Sequence, residues 1–122
     1  MALKSTGFQD AVSYKIVEDA SITAAAAHAN VTTSAGRLFS VQVDNTSSGS
    51  IVYVKIFDGA APVLGTSVPQ IVLKCEALKK HTYQMPDGIA FTELSFWATS
   101  NARQTGTQSA PAATVGVRLV CS

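Results

Sequence analysis

Strict alternation of apolar and polar side chains runs through most of the chain from residue 36 onward, and this feature restricts the fold most strongly. In the clearest case, Phe39, Val41 and Val43 share one face of a segment while the intervening polar residues share the other. Successive side chains of a β-strand point to opposite faces, so the pattern predicts a half-buried antiparallel strand at residues 39–44. The same alternation predicts further strands at residues 51–58, 70–76, 94–100 and 114–121.

Turn-forming residues separate these runs. The polar segment at residues 45–50 links the first two runs, which we interpret as a hairpin. A short strand is predicted at residues 81–85, ended by a turn at Pro86-Asp87-Gly88 and followed by a brief element at 88–91. About six to eight short strands with frequent turns predict an all-β fold, either a small barrel or an antiparallel β-sandwich of jelly-roll or immunoglobulin-like type. We expect the sandwich.

The first 35 residues are patterned less regularly. Residues 14–19 alternate and predict a first strand, whereas residues 1–12 show little periodicity and suggest an extended arm. Alanine at residues 24–27 favours helix, but the flanking threonines and valines favour strand and no amphipathic stripe is present. We therefore expect strand and loop there, with an N-terminal arm and first strand at 1–35 and a β-sandwich domain at 36–122.

Charged side chains are scarce. They make up 14% of the 122 residues, with a formal net charge of +1, whereas roughly 25% is typical of soluble domains. With no cluster of lysine and arginine to neutralise phosphates, we expect no nucleic-acid or membrane partner. No apolar run is long enough for a membrane span, and the first ten residues lack the pattern of a secretory signal. We expect the protein to be made in a cytosol.

Metal-binding and thiol chemistry find little support in the sequence. His28 and His81 lack a second ligand at metal-binding spacing, so each is predicted to be a surface or hydrogen-bonded histidine. Cys75 and Cys121 both fall on inward faces of their strands and are predicted to pack as small apolar residues. A disulfide between them would require adjacent strands and an oxidising setting. We predict no metal and no cofactor.

Catalytic motifs are also missing from the sequence. It contains no nucleophile elbow, phosphate-binding glycine loop or His-Glu-x-x-His pattern. Several of the eight carboxylates lie in or beside turns, where aspartate commonly accepts backbone hydrogen bonds. A small hydrolase would instead need two close carboxylates in a cleft, one of them with a raised pKa. We predict a protein that is not an enzyme.

Three aromatic residues are the candidate contact residues. The alternation places Tyr53, Phe57 and Trp97 opposite the predicted core residues of their strands. Exposed aromatic rings at such positions form carbohydrate platforms or protein contacts. In a two-layer sandwich, the same positions also lie under loops. Both interpretations stay open at this point.

Four segments of the chain follow one another in a recognisable order. They are GRLFSVQVDN at 36–45, IVYVKIFD at 51–58, VLGTSVP at 63–69 with QIVL at 70–73, and GIAF at 88–91. Together, over residues 36–121, they resemble small bacteriophage virion structural proteins. Those proteins share a Gly-Arg-Leu strand, a Tyr-Val-Lys strand, a Val-Gly-Thr-x-x-Pro loop, a Gly-Ile-x-Phe element and a closing valine-rich strand. The resemblance implies a fold and a virion setting and transfers no catalytic residue.

The resemblance implies a capsid decoration (cement) protein, a fibre component or a related virion part. We expect a decoration protein that binds the outside of the major capsid lattice as a homo-oligomer, a dimer or trimer, and stabilises the shell. A charge-poor surface covered by protein neighbours agrees with this expectation. The alternative is a receptor- or glycan-binding module of a fibre or spike, motivated by Tyr53 and Trp97. Residues 1–35 and 101–113 have no counterpart in the resemblance.

Overall fold

The computed structural model describes residues 3–7 and 14–122 of the chain. This part of the chain contains eight strands and no helix. The strands are β1 (Leu3–Gly7), β2 (Lys15–Ile22), β3 (Gly36–Asp44), β4 (Val52–Asp58), β5 (Ile71–Cys75), β6 (Lys80–Phe91), β7 (Leu94–Thr99) and β8 (Val115–Cys121). Accordingly, no helix of this part is long and apolar enough to cross a membrane.

The strands form two antiparallel sheets. One has five strands in the order β1-β2-β8-β3-β6, and the other has three in the order β5-β4-β7. Apolar side chains from the facing sides of both sheets fill the space between them, including Val41, Leu119, Val54 and Phe96. The predicted all-β antiparallel sandwich is confirmed.

The interpretation of residues 39–58 as a hairpin is wrong, because β3 and β4 lie in different sheets. Val43 of β3 and Val54 of β4 are both fully buried in the shared core, so the two strands pack face to face instead of edge to edge. The connection is an arch held by the buried Asn45, whose Nδ2 donates to the carbonyl oxygens of Ser50 at 2.8 Å and Glu76 at 3.1 Å. Alternation predicts which residues face the core, but it does not identify the sheet to which a strand belongs.

β6 also differs from the prediction, since Pro86-Asp87-Gly88 does not reverse the chain. One strand runs through this segment, and both halves of it pair with β3. Leu38 lies opposite Ile89 and Ser40 lies opposite Gln84, so Phe39 faces four residues of β6. The turn signal therefore marks a bulge in an outer strand, where extra residues and a proline are tolerated.

Residues 15–31 contribute to both sheets. β2 pairs with β8 in the larger sheet and corresponds to the first strand predicted at 14–19. The segment after β2 then runs along β7: His28 and Phe96 exchange backbone hydrogen bonds of 2.8 and 3.0 Å, and Val31 N donates to Leu94 O at 2.8 Å. The alanines at 24–27 lie in this irregular segment, as expected. Of the predicted arm at 1–12, residues 1–2 and 8–12 lie outside the described residues.

Candidate functional site

Two loops meet on the outer face of the β5-β4-β7 sheet, and we call them together the loop layer (residues 60–69 and 101–113). Their junction is a hydrogen bond from Gly106 N to Gly65 O, 2.9 Å long. Gly65 has φ 91°, and a Cβ atom there would lie 2.8 Å from the carbonyl oxygen of Gly106. Only glycine fits both the left-handed backbone and this close approach.

Trp97 lies beneath the loop layer. Its side chain is fully buried, and its Nε1 donates to Oε1 of Gln108 at 3.2 Å. The ring centre of Phe57 lies 6.2 Å away in a tilted arrangement. Of the two interpretations that the sequence left open for Trp97, the structure therefore shows the residue under a loop. A buried indole has no free face for stacking on a sugar.

Tyr53 and Phe57 are half-buried on the same outer face of β4. Tyr53 pairs with Thr99 and Lys74, and Phe57 pairs with Ser95, so the two aromatic residues flank Lys55 on the strand. The structure brings Phe57 and Trp97 together, while Tyr53 makes none of the aromatic contacts found among the described residues. A contact role for Tyr53 and Phe57 stays a prediction.

Lys55 anchors the longer loop, a role that alternation along the strand does not predict. Its side chain is fully buried. The ammonium donates to Arg103 O at 2.5 Å, to Gln108 Oε1 at 2.6 Å and, more weakly, to Asn101 Oδ1 at 3.5 Å. All three acceptors belong to residues 101–113 and none is a carboxylate, so the positive charge is solvated by neutral oxygens of one loop.

Burial lowers the pKa of the Lys55 amine, because an ammonium loses hydration when it leaves water. Hydrogen bonds from a charged donor contribute about 1.5–3 kcal/mol each and offset that cost. Gln108 is the central acceptor, since its one carbonyl oxygen serves both Lys55 and Trp97. Its amide nitrogen donates to Arg103 O at 2.9 Å, which closes the network within the loop. This network holds residues 101–113, and the hydrogen bond from Gly106 N to Gly65 O joins residues 60–69 to them, so the loop layer is a preformed surface.

The outside of the loop layer is poor in charge and partly apolar. Residues 60–69 contain no charged side chain, and Arg103 is the only one in 101–113. Val63 is 60% exposed and Val68 is 51% exposed, and residues 102–107 are all exposed. Exposed apolar side chains within a polar surround are typical of protein-contact surfaces.

His28 is paired with a buried carboxylate. Its Nε2 lies 2.8 Å from Oδ2 of the fully buried Asp19, and Asp19 Oδ1 accepts a hydrogen bond from Ser21 N at 2.9 Å. The imidazole also packs on Phe96, with ring centres 4.8 Å apart. The pair ties the segment that runs along β7 to β2. Within residues 3–7 and 14–122, no three His, Cys, Asp or Glu side chains cluster as metal ligands.

Both cysteines are buried, as their inward-facing positions predicted. They are free thiols, and they lie on strands of different sheets. Burial raises the pKa of the Cys75 thiol, and it raises the pKa of the Cys121 thiol to about 11. Nucleophilic attack requires the thiolate, so neither thiol is poised to react at neutral pH.

Comparisons of the chain with protein-family models, with curated proteins and with solved structures found no match.

Proposed function

We propose that the protein is a non-enzymatic virion structural protein, a decoration protein that binds the outside of a phage capsid through the loop layer. The observation that carries this proposal is the exposure of Val63 and Val68 on a preformed surface whose only charge is Arg103. A surface of this kind requires little desolvation of charge when it is covered by another protein. The sequence resemblance to phage virion proteins supplies the setting.

The small size of each contact favours binding by several copies of the protein at once. Fully burying a valine side chain contributes about 1.5–3 kcal/mol. Since each valine is already about half covered, covering the rest of Val63 or Val68 contributes only about 1 kcal/mol. A homo-oligomer, a dimer or trimer, that contacts several major capsid subunits would multiply these small contributions without a new kind of contact.

Pre-organisation favours the same function. A flexible loop has to be ordered on binding, at about 0.5–1.5 kcal/mol for each immobilised side chain. Lys55 and Gln108 hold residues 101–113 through part-buried hydrogen bonds, and Gly106 N holds Gly65 of the loop that carries Val63 and Val68. Part of this conformational entropy is therefore lost during folding and not on binding. The alternative of a glycan-binding fibre module loses part of its motivation, because Trp97 is buried.

The test is to add the purified protein to undecorated capsids of the phage that carries the gene. Co-sedimentation measures binding, and the temperature and internal pressure at which capsids open measure stabilisation. We expect binding and a gain in resistance, and no such change with the Val63→Asp/Val68→Asp variant. Leu78→Asp is the matched control, because Leu78 is 64% exposed in the connection at the opposite end of β5.

Failure of the native protein to bind the capsids would remove the decoration proposal. Equal binding by the Val63→Asp/Val68→Asp variant would leave capsid decoration intact and exclude the loop layer as the contact surface. Sedimentation equilibrium of the free protein tests the oligomer, and a monomer at all concentrations contradicts that part of the proposal.

A further inference from the structure

The outer face of the five-stranded sheet, on the opposite side of the molecule from the loop layer, contains a depression of about 100 Å³. Its floor lies at Gly116 of β8 and Ala20 of β2, where one residue has no side chain and the other has only a methyl group. Gly116 pairs with Asp44 of β3, and Asp44 pairs with Lys80 of β6. A depression of this size has room for several water molecules.

Charged side chains of alternating sign line this depression. In strand order from β2 through β8 and β3 to β6 they are Glu18, Arg118, Asp44 and Lys80. None of the four forms an ion pair with another of the four. Hydrogen-bond acceptors and donors therefore alternate around the depression while its formal charge sums to zero.

Two further groups define this chemistry. Asp44 accepts hydrogen bonds from the hydroxyl of Thr46 at 2.6 Å and from its backbone N at 3.1 Å. These bonds lower the pKa of the Asp44 carboxyl, so it is an ionised acceptor at neutral pH. Gln42, which also lines the depression, donates its amide to Thr82 Oγ1 at 3.3 Å, so its carbonyl oxygen is left as one more acceptor.

We propose that this depression binds adjacent hydroxyl groups of a neutral saccharide. A hydroxyl donates one hydrogen bond and accepts others, so neighbouring hydroxyls match an alternation of carboxylates with ammonium and guanidinium groups. A simple anion or cation would meet two repelling groups for every two attracting ones. The site is independent of the capsid-binding proposal and uses neither Tyr53 nor Trp97.

The depression admits one edge of a sugar ring, so binding of a single sugar should be weak. A dissociation constant of about 1 mM corresponds to a binding free energy of about −4 kcal/mol. The experiment is an amide NMR titration of the full chain with the methyl glycosides of glucose, galactose and mannose. We expect at least one glycoside to give saturable shifts centred on Gly116, Asp44 and Arg118.

Gly116→Val is the sharpest variant, because it fills the floor and removes no charge. A Cβ atom at Gly116 would lie 3.4 Å from Asp44 Cβ and 3.7 Å from Ala20 Cα, which are ordinary van der Waals distances. Valine is also favoured in strands. We expect this variant to fold and to bind the glycoside at least about tenfold more weakly. Ser40→Val is the control, since it introduces the same side chain on the same sheet face outside the depression.

Arg118→Met removes a hydrogen-bond donor from the depression and should also weaken binding of the glycoside. This variant tests the proposal if Gly116→Val does not fold. The proposal is overturned if none of the three glycosides shifts these amides, or if Gly116→Val folds and binds as the native chain does. Equal shifts with sodium acetate would also overturn it, because they would identify a site for simple anions.

Discussion

Replacing Gln108 with leucine removes the one oxygen that accepts hydrogen bonds from both Lys55 and Trp97. Leucine keeps much of the bulk of glutamine, so the change leaves the donors buried with fewer partners. An unsatisfied buried donor costs about 1–3 kcal/mol, and losing a charge-assisted hydrogen bond costs about 1.5–3 kcal/mol. Water entering beneath a loop that is exposed on its outer side recovers part of this, so we expect the free energy of unfolding to fall by about 2–4 kcal/mol.

This loss converts into a large shift of the melting temperature. The entropy of unfolding is about 2.1 cal/mol/K per residue, which for 122 residues gives about 0.26 kcal/mol/K. The Tm of Gln108→Leu should therefore drop by about 8–15 °C. Calorimetry measures the shift. The fluorescence of Trp97, the only tryptophan, should move to longer wavelength because its surroundings become wetter.

Gln104→Leu is the control, because Gln104 is exposed in the same loop and its side chain makes none of the hydrogen bonds described for that loop. It should shift the Tm by less than about 2 °C. The double variant Lys55→Met/Gln108→Leu should be less destabilised than the sum of its single variants, since removing both partners leaves no unpaired ammonium. Equal Tm values for Gln108→Leu and Gln104→Leu, or strict additivity in the double variant, would refute the reasoning.

Two further predictions concern buried ionisable side chains. His28→Ala removes the imidazole that lies 2.8 Å from the buried Asp19 Oδ2 and packs on Phe96, and it should lower the free energy of unfolding in urea by about 1–3 kcal/mol. His81→Ala, at a half-buried position, should cost less than about 1 kcal/mol, and equal losses in the two variants would contradict a stabilising His28–Asp19 contact. The lowered pKa of Lys55 means that the folded chain releases this proton before the unfolded chain, whose lysine pKa is near 10.5. Stability relative to Lys55→Met should therefore rise with pH between the lowered pKa and 10.5, and a difference that stays constant or falls in urea titrations contradicts this sign.

Alternation identified most strand positions and inward faces, because a half-buried strand needs one apolar and one polar side whichever neighbour it pairs with. It placed Tyr53, Phe57 and Trp97 together on outward faces, which the structure agrees with. It did not identify the arch between β3 and β4, since the choice between pairing in one sheet and facing across two depends on the whole set of strands. Pro86 and Gly88 form a bulge for a related reason: β6 continues to pair with β3 beyond it.

The candidate site was less predictable than the fold. Lys55 gave no local signal, because an outward-facing lysine on a strand normally reaches solvent. Its burial requires residues 101–113, about fifty positions away in the sequence, to fold back over β4 and supply three oxygens. Residues 101–113 are a polar loop with glycine and proline, and composition alone does not say what such a loop covers.

The sequence by itself determined the β class, the inward residues and the scarcity of charge, because these depend on local period and on composition. Only the tertiary structure decided which outward faces meet water. Two loops cover Lys55 and Trp97 on the outer face of the three-stranded sheet, whereas side chains of alternating charge surround Gly116 on the outer face of the five-stranded sheet. Both outer faces have polar residues in the sequence. On one face, hydrogen bonds from a distant loop satisfy the buried polar groups, whereas no loop among the described residues covers the charged groups around Gly116 on the other face.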